Sequence, residues 1–276
     1  MKTILLPTDF SKNSMNAIDY AMELFKDEVC NFHVLNVQKV SSFISDDMML
    51  VSSSATVYNT IIDAAKKSIA NIISTIKAEY NNNKHTFHSI VDYDNFIDSI
   101  NQVSKKNEVD LIVMGTNGAS GLGQMIFGSN TVRVMQRCDA PVLAIPNNCE
   151  FSSLNNIAFV TNHETLFIEE SFKWLSYFAN MHHSKLSVLH LADENHLAQK
   201  QSKNNSFFET HFPNAKHEYM DTNSKDMFNA VQRYIDNNEV EMLSMMHEKH
   251  SFLERLFTRH LVETFAFNIK VPFLVI

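Results

Sequence analysis

Short apolar runs alternate with helix-period segments along this chain, and that alternation constrains its fold more than any other feature. Lys2–Leu6 is predicted to be a strand and Asn13–Phe25 a helix with Ile18, Ala21, Met22 and Phe25 on one stripe. Phe32–Val37 is a second strand. Thr60–Tyr80 is a long helix that buries Ile62, Ala65, Ile69, Ile72, Ile73 and Ile76. Between them Val40–Tyr58 is rich in Ser, has no clear period and reads as a loop. Thr86–Val91 is a strand, Asn95–Lys105 a helix and Val109–Met114 a strand. A helix over about Asn130–Arg137 and a strand over Pro141–Ile145 complete the series. Strands that alternate with helices form right-handed crossovers and a parallel sheet. Leu111–Met114 and Val142–Ile145 are apolar at successive residues, as strands covered on both faces are.

The remainder repeats the plan. Asn156–Thr161, Lys185–Leu191, Lys216–Met220, Glu239–Met246 and Pro272–Ile276 read as strands. Helices are predicted over Glu169–Asn180, Lys225–Tyr234 and about Leu256–Phe267, while residues 193–206 are polar and leave room only for a shortened helix. The repeat shows in the letters as well. Glu108-Val-Asp-Leu aligns with Glu239-Val-Glu-Met, and the same offset carries Pro141-Val-Leu onto Pro272-Phe-Leu. A slightly larger offset aligns Pro7-Thr-Asp with Val160-Thr-Asn and Val34-Leu-Asn-Val with Val188-Leu-His-Leu. Two α/β units follow, residues 1–147 and 153–276.

Composition sets the class. The 276 residues include 45% hydrophobic ones, enough for two full cores, and the net charge of −8 excludes the basic footprint of a nucleic-acid binder. Three cysteines, Cys30, Cys138 and Cys149, are too few and odd in number for a disulfide framework and fit a reducing compartment. No apolar run approaches the roughly 20 residues of a membrane helix, and the N-terminus is too short in apolar residues for a signal peptide. A cytoplasmic location is expected, with no membrane partner.

All five glycines fall between Gly115 and Gly128. The loop reads Gly115-Thr-Asn-Gly118, nine residues, then Gly128-Ser129, and it joins an apolar strand to a helix. Glycines there permit tight turning and close backbone approach, and the following helix start suits an anion. Hydroxyls of Ser129 and Thr131 are available to add hydrogen bonds. The spacing is neither a Walker A loop nor a dinucleotide fingerprint. It resembles the G-x2-G-x9-G-S/T loop of ATP-binding universal stress proteins. The opening Ile4-Leu-Leu-Pro-Thr-Asp-Phe-Ser11 and the closing Ala140-Pro-Val-Leu-Ala-Ile-Pro146 are similar to that family's first and last strands. The resemblance covers both halves of the chain.

The resemblance implies an adenine nucleotide alpha hydrolase-like α/β fold in two tandem open parallel-sheet domains. It also implies an ATP site, with AMP or another adenine nucleotide as the weaker option and Mg²⁺ able to share the phosphate charge. Carried over residue by residue, the site is Pro7, Thr8, Asp9, Val37, Met114, Gly115, Gly118, Gly128, Ser129, Asn130 and Thr131. Asp9 matches the family's adenosine-contacting acid, and Val37 the residue whose backbone meets adenine. One departure is that Ala119 stands where many ATP-binding members carry a basic residue, and no Lys or Arg occurs from Gly115 to Val132. Without the resemblance, Asp9 could serve only to start a turn, Ser129 only to cap a helix, and Val37 is a core strand residue in any reading.

In the second half the corresponding positions are Asn162, Leu191, Met246, Lys249, Arg259 and His260, and the side chains of Met246, Lys249 and Arg259 would fill space that phosphate requires. One nucleotide site per chain is expected. His247, His250 and His260 among basic neighbours match no strong zinc pattern and read as a solvated loop. His85 and His88 fall on opposite faces of one strand, and His182 and His183 lie at a helix end. No catalytic base or Walker-type lysine is visible, so at most slow ATP hydrolysis is expected. The family implies a regulatory role in the stress response, with an unknown protein partner. The alternative is a ligand-free interaction scaffold of the same fold. Family members often dimerise through their last strands, so Pro141–Ile145 and Pro272–Ile276 are expected side by side and antiparallel, as a pseudo-dimer within one chain. Homodimerisation beyond that is open.

Overall fold

The computed structural model describes residues 1–38, 54–116, 128–161, 166–191, 198–220, 227–246 and 270–276. The first half contains β1 (Lys2–Pro7), α1 (Lys12–Leu24), β2 (Cys30–Gln38), α2 (Ser54–Tyr80), β3 (His85–Tyr93), α3 (Phe96–Lys106), β4 (Leu111–Gly115), α4 (Ser129–Arg137) and β5 (Val142–Ile145). The second contains β6 (Asn156–Thr161), α5 (Lys173–Met181), β7 (Lys185–Leu191), α6 (Ala198–His211), β8 (Lys216–Met220), α7 (Met227–Asn237), β9 (Met242–Met245) and β10 (Phe273–Val275).

The strands form one sheet in the order β3-β2-β1-β4-β5-β10-β9-β6-β7-β8. Each half is parallel within itself. The halves join where β5 and β10 run antiparallel, Phe273 opposite Ala144 and Val275 opposite Val142. The internal repeat holds to the residue. Ile4 lies opposite Phe32 and Leu111, and its counterpart Ile157 lies opposite Leu186 and Met242. Ile112 pairs with Val142 as Leu243 pairs with Phe273. The carboxylate of Asp110 accepts the Thr3 N–H at 2.8 Å, and that of Glu241 accepts the Asn156 N–H at 3.1 Å. Glu108 and Glu239 both take a left-handed conformation, with φ of 49° and 50°.

Alternation along the strands builds two apolar layers. Ile4, Leu6, Phe32, Val34, Phe159 and Val188 face α1, α2, α5 and α6, while Leu5, Leu35, Ile112, Ala158, Leu189 and Leu243 face α3, α4 and α7. Both layers run across the β5–β10 seam. On the first face the Trp174 indole N–H of α5 donates to the Asp110 carbonyl at 2.6 Å, and Phe25 of α1 meets Trp174 at 6.0 Å and Phe178 at 6.2 Å. Lys2 Nζ lies 4.1 Å from the Tyr177 ring centre and 2.7 Å from the Glu28 carboxylate. These contacts tie the halves together beyond the strand pair.

Three expectations need adjustment. Helix α2 begins at Ser54, so residues 54–58 are helical rather than loop, while residues 39–53 lie outside the described residues. Helix α5 begins at Lys173, and Glu169–Phe172 form turns instead. The reason is aromatic packing: the Phe167 N–H is held by Asn204 Oδ1 at 3.0 Å, and Phe172 packs on Phe207 of α6 at 4.8 Å. Helix α6 has 14 residues against 27 in α2 but runs on to His211, past the polar stretch that was to hold it. The helix expected over Leu256–Phe267 and the basic loop with His247, His250 and His260 lie outside the described residues.

The histidines lie where the sequence placed them. His88 stacks on His33 at 4.7 Å, whereas His85 turns to the other face and bonds the Phe25 carbonyl at 3.0 Å. His182 caps the C-terminus of α5. The three cysteines are free thiols, and Cys30 and Cys138 are buried. Among the described residues no helix is long and apolar enough to cross a membrane.

Candidate functional site

Strands β1 and β4 pair only through Ile4–Leu111 and Leu5–Ile112, and then part. The Thr8 N–H donates to the Leu35 carbonyl of β2 at 2.8 Å. Backbone groups alternate sides along a strand, so the missing N–H of Pro7 faces β4, where a ladder bond would otherwise continue. The order β2-β1-β4 also makes this the point where the chain reverses direction across the sheet, the usual place for a ligand crevice.

A cleft of about 500 Å³ opens there, within the range of small-molecule sites. Its lining includes Pro7 at the end of β1, Thr8 and Asp9 after it, Val37 on β2, Met114 and Gly115 on β4, and Gly128, Ser129, Asn130 and Thr131 at the start of α4. Gly118 lies outside the described residues. Sequence reasoning missed Phe10, Ser14, Asn36, Gln38 and Phe96, which also line it. Polar Asn36 and Gln38 end the apolar run Val34–Leu35 of β2, and that was a readable signal. Phe96 gave none, since it sits at an ordinary core position of an amphipathic helix.

The floor is braced by hydrogen bonds. Thr8 Oγ1 is 2.9 Å from Ser14 Oγ and accepts the Phe10 N–H at 3.0 Å. This holds Phe10 at φ 65°, a conformation uncommon for a bulky residue. Asp9 Oδ1 accepts the Ser11 N–H at 3.0 Å, and Ser11 Oγ caps α1 by accepting the Ser14 N–H at 3.2 Å. Asp9 therefore starts a turn and also lines the cleft.

Gly115 and Thr131 have structural tasks of their own. A Cβ on Gly115 would come within 2.6 Å of Asn13 Nδ2 and 2.9 Å of the Asn13 carbonyl oxygen, so the glycine is required for α1 to approach β4. Thr131 is buried, and its hydroxyl donates to the carbonyls of Gly115 at 2.9 Å and Thr116 at 3.2 Å. That proton ties the start of α4 to β4 and is not available to a ligand as expected from the sequence.

The first intrahelical bond of α4 runs from the Val132 N–H to the Gly128 carbonyl. The N–H groups of Ser129, Asn130 and Thr131 precede that ladder, and the Gly128 cap provides no side-chain acceptor and no acidic residue follows in the first turn. The described lining contains no Lys or Arg and one carboxylate, Asp9. An anion here would be met by backbone dipoles. An adenine nucleotide fits this arrangement in volume and in donor set, and Asp9 is the one carboxylate of the described lining.

The second half differs at the equivalent place. Val160 stands where the first half has Pro7, and β6 pairs β9 through Ile157, Ala158, Phe159 and Val160, the last opposite Met245. Two further rungs close the gap that β1 and β4 leave open. Met246 occupies the position of Gly115 and packs at the edge of the core.

Comparison with known proteins accords with this architecture. The sequence model of the universal stress protein family matches residues 1–146. A universal stress protein of Methanocaldococcus jannaschii is 25% identical over 151 residues, 52% of this chain and 81% of its own. Universal stress protein A homolog 1 of Coxiella burnetii is 26% identical over 144 residues, 52% of this chain and 95% of its own. A crystal structure of a universal stress protein from Archaeoglobus fulgidus is similar in fold over 99% of this chain and 95% of its own, with a TM-score of 0.71 at 14% identity. With a family model spanning more than half of its length, and a whole-chain fold shared with a solved member, this chain belongs to the universal stress protein family.

Proposed function

We propose that residues 1–147 form a domain that binds one adenine nucleotide, ATP in the first instance, and that residues 153–276 form a domain of the same fold that binds none. On this reading the chain is a nucleotide-responsive regulatory protein of the stress response, acting in the cytoplasm through a protein partner. The observation that carries it is the open crevice between β1 and β4 with the uncapped start of α4 on its rim. Backbone N–H groups of Ser129, Asn130 and Thr131 would take the phosphates, Asp9 the ribose or a Mg²⁺ ion, and the region of Val37 the base. On this reading the site binds its nucleotide rather than turning it over rapidly.

One observation favours the scaffold reading. Gly115 is already explained by its contact with Asn13, so its retention is not by itself a sign of a ligand. Calorimetry separates the two. Wild type is expected to bind one ATP per chain, and Gly128→Arg, which copies Arg259 of the second half, to bind at least about a hundredfold more weakly with an unchanged melting midpoint. Two equivalent sites, no site, or undiminished binding by the variant would each overturn the proposal.

A further inference from the structure

Side-chain amides are ambiguous readers of a base because they can turn over, exchanging oxygen for nitrogen. The cleft contains an amide that cannot. Asn36 is buried, and its side chain meets the Thr8 carbonyl at 2.7 Å. A carbonyl only accepts, so the Asn36 nitrogen must face it and Asn36 Oδ1 must face the other way. Gln38 lies two residues on, on the same face of β2, and its nitrogen meets Asn36 Oδ1 at 2.5 Å. The polarity passes along the chain: Thr8 carbonyl, Asn36 amide, Gln38 amide. The relay engages one of the two Nε2 hydrogens and turns Gln38 Oε1, the acceptor of the amide, away from Asn36, and Gln38 lines the cleft beside Val37.

We propose that Gln38, its amide fixed by Asn36 and Thr8, is the residue that selects a 6-amino purine over a 6-oxo purine in this cleft. The inference rests on the nucleotide reading above and goes beyond it by assigning base selectivity to one side chain. Adenine presents an N6 amine donor beside acceptor nitrogens, whereas hypoxanthine and guanine present an O6 acceptor. A fixed Oε1 accepts from the first and opposes the second. A freely rotating glutamine would serve both, and inversion of this one would set Gln38 Oε1 against Asn36 Oδ1. Asn36 cannot invert in response, because its oxygen would then face the Thr8 carbonyl. A buried polar clash of that kind costs more than an ordinary hydrogen bond gains.

The test compares ATP with ITP, which differ at the purine 6-position and the adjoining N1 proton, by calorimetry on the full chain. Wild type is expected to prefer ATP by about tenfold, the factor that one hydrogen bond of ordinary net strength supplies. In Gln38→Met, similar in length but without the amide, the ratio should fall toward one. Purine riboside triphosphate, which has no 6-substituent, should bind wild type more weakly than ATP and more tightly than ITP, and Gln38→Ala, which removes the amide without filling its place, should lose the preference as Gln38→Met does. Equal affinity of wild type for ATP and ITP overturns the assignment and leaves the nucleotide site intact. A variant that keeps the tenfold preference does the same. Wild type that binds none of the three overturns the nucleotide reading itself, and this assignment with it.

Discussion

The sheet contains the same junction twice, once open and once closed. In the first half β1 and β4 share two rungs and separate at Pro7. In the second half β6 and β9 share four, up to Val160 opposite Met245. Everything upstream of that point is shared, including the register, the carboxylate that holds the first strand and the left-handed glutamate before the fourth. A ligand site on this fold is therefore a local property of two strand ends and a helix start, and it can be lost without disturbing the sheet.

The comparison can be tested by moving features of the second half into the first. The largest effect on stability is expected at Gly115. Gly115→Ala places a Cβ within 2.6–2.9 Å of Asn13 side-chain and backbone atoms, and the displaced α1 should cost about 1–3 kcal/mol in a urea melt. The reverse change, Met246→Gly, relieves no such contact and should give only the ordinary loss from a partly buried side chain. A neutral Gly115→Ala would remove the packing account of that glycine.

Pro7→Val comes next. It restores the N–H that Val160 has and invites a further rung between β1 and β4. Nucleotide binding should weaken about tenfold while the melting midpoint holds or rises. Unchanged affinity would show that the crevice is kept open by something other than the proline.

The smallest effect concerns pH. Burial lowers the pKa of His33 and His85 in the first half and of His182 in the second, and the neighbouring His88 lowers His33 further. Each imidazole binds its proton more weakly in the folded chain than in the unfolded one, where the value is 6.5. The unfolded chain takes up more protons as the solution is acidified, so stability falls as pH drops below that value toward the lower folded ones. A melting midpoint lower by a few degrees at about pH 5.5 than at about pH 7.5 is expected, with earlier amide exchange in the half that carries two of the three histidines. An equal response of both halves would contradict that ranking.

Much of this was legible in the sequence. The repeat and the strands followed from apolar runs and matched offsets, because the pattern of each strand reports how many of its faces are covered, while the antiparallel seam was implied by the family resemblance. The candidate site residues came from the resemblance of the glycine loop and the opening strand to the family, and those among the described residues line one cleft. Other facts needed coordinates, because they depend on partners remote in the chain. Gly115 gives no hint of Asn13, and Thr131 none that its hydroxyl would be spent on the carbonyls of β4. Pro7 and Val160 differ openly in the letters, but the meaning of the exchange depends on which neighbouring strand the lost N–H would have faced. The start of α5 was misplaced because helical period alone does not reveal that Phe167 and Phe172 are drawn to α6.

The β5–β10 seam has a further consequence. Two separate copies meeting edge to edge would come apart on dilution, and each would have to keep whatever residues the shared surface demands of both. With the two copies on one peptide the association is intramolecular at any concentration, and the strict equality of the partners is lifted. One unit is then free to drift into a permanent buttress while the other alone answers to selection for ligand. The seam is what allows a single chain to be lopsided.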